Sequence, residues 1–313
     1  MTLPADPPVT HRWPIEVPAD LRAGLAGAFG EPGRIWCDQL PRLAQQMFDR
    51  WSLTVAGPQR SGFAGVVIPV RRHDQSPAML KLSCPTVDQD LEAEVLAAWD
   101  GHGAVRLLDH DLHAQAKLLE RLRDHRLFDV ESAEAALAVS GALARELATA
   151  SPPPGVPRLS EAALTWVDEL PRLMRETGYP APPRVLPAAV ATCRELGPDQ
   201  PDNLLHGDLH GRNILASDRS TWLAVDPLGL AGEVAVECLT SIRDRRTRLR
   251  QSSSPTAQLR RQVQVFAEAA GASLDRTLAW TQTRALLAGL RIRRSGQHDD
   301  DGLHQWVAET LVQ

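Results

Sequence analysis

Lysine is almost absent from this chain: of 34 basic residues only Lys81 and Lys117 are lysine, and the rest are arginine. Where arginine is the default cation, a retained lysine points to a task a guanidinium does poorly. A compact point charge on a flexible stem suits phosphate contacts deep in a site. No C-x-x-C pair exists among Cys37, Cys84, Cys193 and Cys238, which argues against a structural zinc site and for a reduced intracellular setting. No run of about 18 apolar residues occurs, so no membrane span is expected. The proline-rich start lacks the charged-then-apolar order of a secretion signal. There is no internal repeat, no Walker G-K-[ST] and no Rossmann glycine fingerprint. These absences lead us to expect a soluble, cytoplasmic protein, and a net charge of −5 gives no nucleic-acid footprint. It is expected to be a monomer or weak dimer.

What is present is concentrated in one stretch, Leu204 to Gly229, reading LLHGDLHGRNILASDRSTWLAVDPLG. Asp208 precedes Asn213 by five residues, the D-x-x-x-x-N interval with which kinase catalytic loops hold a base and a metal ligand. Asp226 follows the apolar run Trp222–Val225 and is followed by Gly229, which sets a carboxylate where a strand gives way to a loop. Such a stretch can hold Mg²⁺ and a nucleotide's phosphates beside a base, as phosphoryl transfer requires.

The chain's length, 313 residues, exceeds a usual single core and predicts two lobes. Apolar residues at helical spacing predict helices over Ala19–Phe29 and Ile35–Trp51, broken by a turn at Gly30–Gly33. Three short β runs follow, LTVAG, FAGVVIPV and AMLKLS, and then two more at Ala104–Leu108 and Ala116–Leu122, completing a five-stranded antiparallel sheet. The glycine-bearing turn around Ser61, Gly62 and Phe63 is either a plain hairpin or a place where backbone N–H groups meet a phosphate. Lys81 lies within the third run. Asp88–Trp99 predicts a helix whose Glu92 and Glu94 both reach back toward a strand lysine, and of the two Glu94 is favoured. The change from strand to helix near Glu120–Arg123 marks the hinge, where backbone groups near Glu120 and Leu122 are candidates to meet an adenine edge. The expected division is therefore residues 1–121, with the nucleotide-binding lobe, and residues 122–313, a helical lobe carrying the catalytic and metal loops. Helices are predicted over Glu131–Ala150, Ser160–Thr177 with Ser160 as N-cap, Pro187–Leu196, Ala235–Arg250, Pro255–Ala270, Leu274–Arg294 and His304–Val312. The arginine-rich run Ile242–Arg250 reads as a solvated helix face, and Ser295–Gly302 as a solvated loop.

HGDLHGRNIL followed by WLAVDPLGLAGE resembles the aminoglycoside phosphotransferase family, and within it the streptomycin 6-phosphotransferase and hydroxyurea kinase branch. The likeness extends to AMLKLS, AAWDGHGAVRLL, LLERL and the two N-terminal helices, from about Val17 onward. It implies an α+β, bilobal, protein-kinase-like fold with two extra N-terminal helices, ATP as donor and Mg²⁺ as cofactor. By the same resemblance Asp208 would accept the proton of the substrate hydroxyl, and Asn213 and Asp226 would hold the metal. Lys81, oriented by Glu94, would bridge the α- and β-phosphates, while His206 would buttress the catalytic loop. Leu228 stands where many relatives carry a polar or basic residue, and Val236-Glu237 where an aromatic followed by Asp is frequent. Both departures bear on the acceptor. A cationic, hydroxylated small molecule such as streptomycin is expected, with Glu233 and Asp168 or Glu169 as candidate partners for its guanidinium groups.

Three other readings compete. Hydroxyurea or another metabolite is an alternative acceptor, and a non-catalytic nucleotide-binding module is an alternative of another class. The third is a zinc hydrolase: His206, Asp208 and His210 alternate, and on a strand they would share one face.

Overall fold

The computed structural model describes residues 15–62, 64–85, 91–296 and 302–312. The chain packs as two compact units, residues 1–93 with 106–121, and residues 94–105 with 122–313. The segment 94–105, expected in the first unit, thus belongs to the second.

In the first unit, helices α1 (Ala19–Phe29) and α2 (Glu31–Arg50) are separated by Gly30 alone. The expected turn is shorter because Pro32 fits the first helical turn, where its missing N–H costs nothing. The sheet contains β1 (Thr54–Val55), β2 (Arg60–Ser61), β3 (Gly65–Arg71), β4 (Pro77–Ser83), β5 (Leu107–Asp111) and β6 (Ala116–Glu120). Its order is β1-β3-β4-β6-β5, with β2 also on β3, and every pairing is antiparallel. Six strands stand where five were expected. The Gly57-Pro58 break splits the edge in two, so Thr54 faces Arg71 while Arg60 faces Val67. β5 forms later than predicted, over a polar edge sequence that carries little alternation. Period-two alternation sorts the central strands: Val66, Ile68 and Val70 oppose Leu82, Leu80 and Ala78 and are buried with Leu25, Trp36 and Leu40 of the two helices. The intervening positions, Lys81 and its cross-strand partner Lys117, point to the other face.

Helix α3 runs Glu92–Trp99, and its first two residues belong to the first unit. The predicted start of this helix falls partly on residues 86–90, which lie outside the described residues, as do Phe63 and residues 297–301 of the expected polar loop.

The second unit is mostly helical. Helices α4 (Ala133–Leu147), α5 (Leu159–Thr177) and α6 (Val185–Leu196) precede the short strands β7 (Leu204–Leu205), β8 (Ile214–Ala216), β9 (Trp222–Ala224) and β10 (Leu230–Ala231). After them come α7 (Cys238–Arg243), α8 (Arg246–Arg250), α9 (Pro255–Ala270), α10 (Leu274–Arg294) and α11 (Leu303–Thr310). Ser132 and Ser273 cap α4 and α10 by accepting the backbone N–H of Ala135 and Arg276. Ser160 is not the cap of α5, which begins one residue earlier with Arg158 at its N-cap. α4 and α9 approach closely at Gly141, where a Cβ would lie 2.6 Å from the Phe266 carbonyl. No helix among the described residues is long and apolar enough to cross a membrane.

The arginine-rich run departs most from expectation. Instead of one helix over Ala235–Arg250 there is a 3₁₀ turn (Val234–Glu237), then α7, then α8, with Asp244 and Arg245 at the break. Arg245 is buried, and its guanidinium donates to the carbonyls of Val130 (2.6 Å) and Leu127 (2.5 Å). The solvated-face reading fails because the break turns the middle of the run inward, where carbonyls and carboxylates meet its charges.

Candidate active site

The central stretch is built on a short two-stranded ladder and the hairpin that lies between its strands in sequence, both in the second unit. Strand β7 pairs with β10, Leu205 facing Leu230, and β8 pairs with β9, Ile214 facing Ala224. The second register sets Asn213, just before β8, beside Val225 and Asp226, just after β9; the Val225 N–H donates to the Asn213 carbonyl at 2.9 Å. Asp226 has a φ of +59°, a left-handed conformation that Asp tolerates better than most side chains.

His206 ties the two loops together. Its ring Nε2 bonds the Val225 carbonyl (2.9 Å), its Nδ1 accepts the Asp208 N–H (3.2 Å), and its own carbonyl accepts the N–H groups of Leu228 and Gly229. The ring stacks on buried Trp99, whose indole N–H donates to the Leu147 carbonyl. Burial lowers the pKa of His206 against the pull of Glu237, which keeps the imidazole neutral in this bonding pattern. Two occupied ring nitrogens leave no lone pair for zinc, and the strand ends at Leu205, so the alternation of His206, Asp208 and His210 does not put them on one face. Among the described residues no group of three His, Cys, Asp or Glu side chains could hold a metal. The zinc-hydrolase alternative therefore lacks its ligand set.

Gly207 has a φ of +84°, and a Cβ there would lie 3.2 Å from the Leu228 Cβ. Its N–H donates to Oε1 of Glu237 at 2.7 Å, so this carboxylate holds the loop that carries Asp208. Asp208 comes next, with Oδ1 3.1 Å from Arg243 and Oδ2 3.3 Å from His210 Nε2. Behind them Asp244 lies 3.5 Å from His210 Nδ1 and accepts the Arg212 N–H at 3.2 Å. Burial alone would raise the Asp208 carboxyl, but the hydrogen bond and charge of His210, with Arg243, overcome it and hold the pKa at about 2. Burial likewise opposes the charge of His210, yet Asp208 and Asp244 push its pKa up to about 9. The carbonyl of Leu209 accepts the hydroxyls of Ser241 (2.8 Å) and Thr240 (3.3 Å), which fixes α7 against the loop.

Asn213 spends its amide nitrogen on the Asp208 carbonyl at 3.2 Å, and its Oδ1 accepts no hydrogen bond among the described residues. An amide oxygen and a carboxylate, on residues that flank the same end of the β8–β9 hairpin, make an all-oxygen donor set. That fits Mg²⁺, which is commonly held by one or two protein oxygens together with substrate phosphates and water.

Within the first unit, Lys81 Nζ lies 2.8 and 2.7 Å from the two carboxylate oxygens of Glu92, correcting the preference for Glu94. Side chains two positions apart on a helix diverge by about 200°, so only one of the two can face the strand. Glu94 makes no hydrogen bond or ion pair with Lys81, and its Oε2 is buried and makes no hydrogen bond among the described residues. Lys117 also reaches Glu92, at 3.0 Å, so both lysines of the chain flank one carboxylate. Two like charges directly opposite on a sheet repel, and the carboxylate between them removes that penalty.

The other expected positions are placed as follows. Ser61 ends β2, and the Gly62 N–H closes the hairpin onto the Gly65 carbonyl at 2.9 Å. Glu120 ends β6 and accepts the Arg106 N–H, and Leu122 opens the second stretch of the other unit. Two of the carboxylates expected to meet the acceptor have arginine partners. Glu233 takes Arg276 (2.6 and 2.7 Å), the Trp280 indole and Gln200, and Glu169 takes Arg291 (3.0 and 2.7 Å). Asp168 is exposed on α5, in a shallow depression with Thr165 and Arg172. Sequence reasoning missed Arg243 and Asp244, whose signal was their place in a charged run that follows an apolar one.

The chain matches the family model described as aminoglycoside/hydroxyurea antibiotic resistance kinase over residues 50–296. It is 37% identical over 273 residues to a streptomycin 6-kinase from Streptomyces glaucescens, covering 87% of this chain and 89% of that protein. A hydroxyurea phosphotransferase from Kitasatospora aureofaciens is 36% identical over 232 residues, covering 73% of this chain and 68% of the relative. Among solved structures, a macrolide 2'-phosphotransferase from Brachybacterium faecium aligns with a TM-score of 0.55 at 17% identity, covering 88% of this chain and 98% of that one, a likeness of fold.

Proposed function

The chain belongs to the aminoglycoside/hydroxyurea antibiotic resistance kinase family, and on that premise we propose that it transfers the γ-phosphate of ATP to a hydroxyl group of a streptomycin-like aminoglycoside. What supports the reading is the hairpin β8–β9, whose open end is flanked by Asn213 and Asp226, together with the Asn213 amide on the Asp208 carbonyl and the Asp208 carboxylate between His210 and Arg243.

Each residue has a part in that transfer. Asp208 orients the acceptor hydroxyl and takes its proton. With a pKa of about 2 it is a weak base, so the proton moves late, after the bond to the leaving phosphate has loosened. His210 and Arg243 fix the two oxygens, and neutral His206 with Glu237 keeps the loop in place. Asn213 and Asp226 are the residues that would hold Mg²⁺, which would supply neutralisation of charge on the phosphates. Lys81, kept in position by Glu92, contacts the α- and β-phosphates, and the backbone at Ser61–Gly62 and near Glu120 and Leu122 frames the nucleotide.

The test is ATP consumption by the purified protein with streptomycin, other aminoglycosides and hydroxyurea, with the product identified by mass. Streptomycin-dependent turnover and a monophosphorylated product are expected. No stimulation by streptomycin would remove that acceptor, and stimulation by hydroxyurea alone would install the alternative.

A further inference from the structure

A pocket of about 250 Å³ opens within the second unit, lined by Trp166, Gly207, Leu228, Gly229, Arg284 and Arg291 among others. It shares Gly207 with the catalytic loop and Leu228–Gly229 with the loop that follows Asp226. Among the described residues its lining contains two cations and no carboxylate. Arg291 is matched by Glu169. Arg284, on α10, makes no hydrogen bond or ion pair with any described residue, although it is half-buried and lies within electrostatic reach of Glu237 and Asp208. A guanidinium stays charged at every working pH and carries five N–H donors, so leaving it without partners is costly unless something else meets it.

We propose that Arg284 is a catalytic residue that receives the transferred phosphoryl group on the acceptor side of the reaction. This rests on the kinase reading and adds to it a group that neither the motif spacing nor the resemblance assigns. In the step, the acceptor oxygen bonds to the γ-phosphorus as the bond from that phosphorus to the β–γ bridging oxygen breaks. The bridging oxygen leaves with the electron pair on ADP, and the hydroxyl proton passes to Asp208. The charge spread over the three equatorial oxygens then needs donors on the side away from the nucleotide, and a planar fork matches two such oxygens at once. The competing role is structural. Oε2 of Glu237 is buried without a hydrogen bond, and Arg284 balances that charge from a distance.

The experiment compares wild type with Arg284→Ala and Arg284→Lys by steady-state kinetics, by titration with inorganic phosphate in the presence of MgADP, and by melting temperature. Expected are a fall in kcat of about 10- to 100-fold in Arg284→Ala, partial recovery with added guanidinium ion, and little recovery in Arg284→Lys. Phosphate binding to the MgADP complex should be lost in Arg284→Ala. Unchanged kcat and phosphate binding with a lower melting temperature would overturn the proposal in favour of the counter-charge. A raised acceptor KM with unchanged kcat would overturn it too, since the contact would then be to the acceptor. If the wild type turns over no ATP with any acceptor, the kinase reading falls by itself. Arg284 is then judged by the phosphate titration, where equal binding by wild type and variant rejects it.

Discussion

In the first unit one carboxylate, Glu92, faces two ammonium groups; in the second one carboxylate, Asp208, faces a guanidinium and an imidazole. The parts are alike and the openness differs. The Glu92 side chain is 6% exposed and is closed in by its cations, whereas that of Asp208 is 29% exposed. A carboxylate that only holds other groups can be sealed, and the open side of Asp208 is what its proposed contact with a hydroxyl requires. The cations differ in the same sense. Lys81 is 17% exposed and Lys117 only 3%, so of the pair around Glu92 it is Lys81 that retains access to an incoming anion.

The hardest test of this contrast is Asp208→Asn, which should lower kcat with streptomycin by about 10³-fold, within the range for removal of a general base. A loss under tenfold would break the contrast, because Asp208 would then be holding structure as Glu92 does. Next, Lys81→Met should lower kcat/KM for ATP by about 10²-fold, as measured by coupled ADP release. Glu92→Gln should lower the same quantity by about tenfold while Glu94→Gln stays within about twofold, since only the former touches Lys81. Equal effects of the two would remove the assignment of Glu92.

The smallest effect is on stability against pH. The pKa of His210 rises on folding from an ordinary 6.5 to about 9, so its contribution is fully present below 6.5 and is lost as pH rises through about 9. Asp208 is lowered from 3.8 to about 2, so its contribution is present above 3.8 and is lost as pH falls through about 2. Melting temperatures of wild type and His210→Asn should therefore differ by a few degrees near neutrality and converge at pH 10.

The legible part of the site was the part encoded by short-range spacing. Asp208, Asn213 and Asp226 fall within one stretch, and the apolar run before Asp226 was enough to set it where a strand gives way to a loop. Lys81 was legible because a lone lysine interrupts an apolar strand. Its partner was not, because Glu92 and Glu94 have the same chemistry and only the helix phase separates them. Arg243, Asp244 and Arg245 were misread for a different reason. Hydrophilic periodicity marks a solvated face only when the helix is continuous, and this one breaks at Asp244. The arginine partners of Glu233 and Glu169, Arg276 and Arg291, were not legible, because they come 43 and 122 residues later on α10. No local pattern foretells that pairing. Strand β2 and the shifted β5 were hidden by short, polar edge sequences.

Both side-chain amines of the chain stand in one recess, around Glu92. Acylating reagents aimed at lysine therefore find almost nothing on the outer surface, and of the two they should reach Lys81 before the nearly sealed Lys117. A single modified peptide would report whether that recess is occupied, with bound nucleotide read as its protection. Coupling to an amine-reactive support would likewise draw on very few attachment points, and since all four cysteines are buried, a carboxyl handle would be the better choice for immobilising the protein.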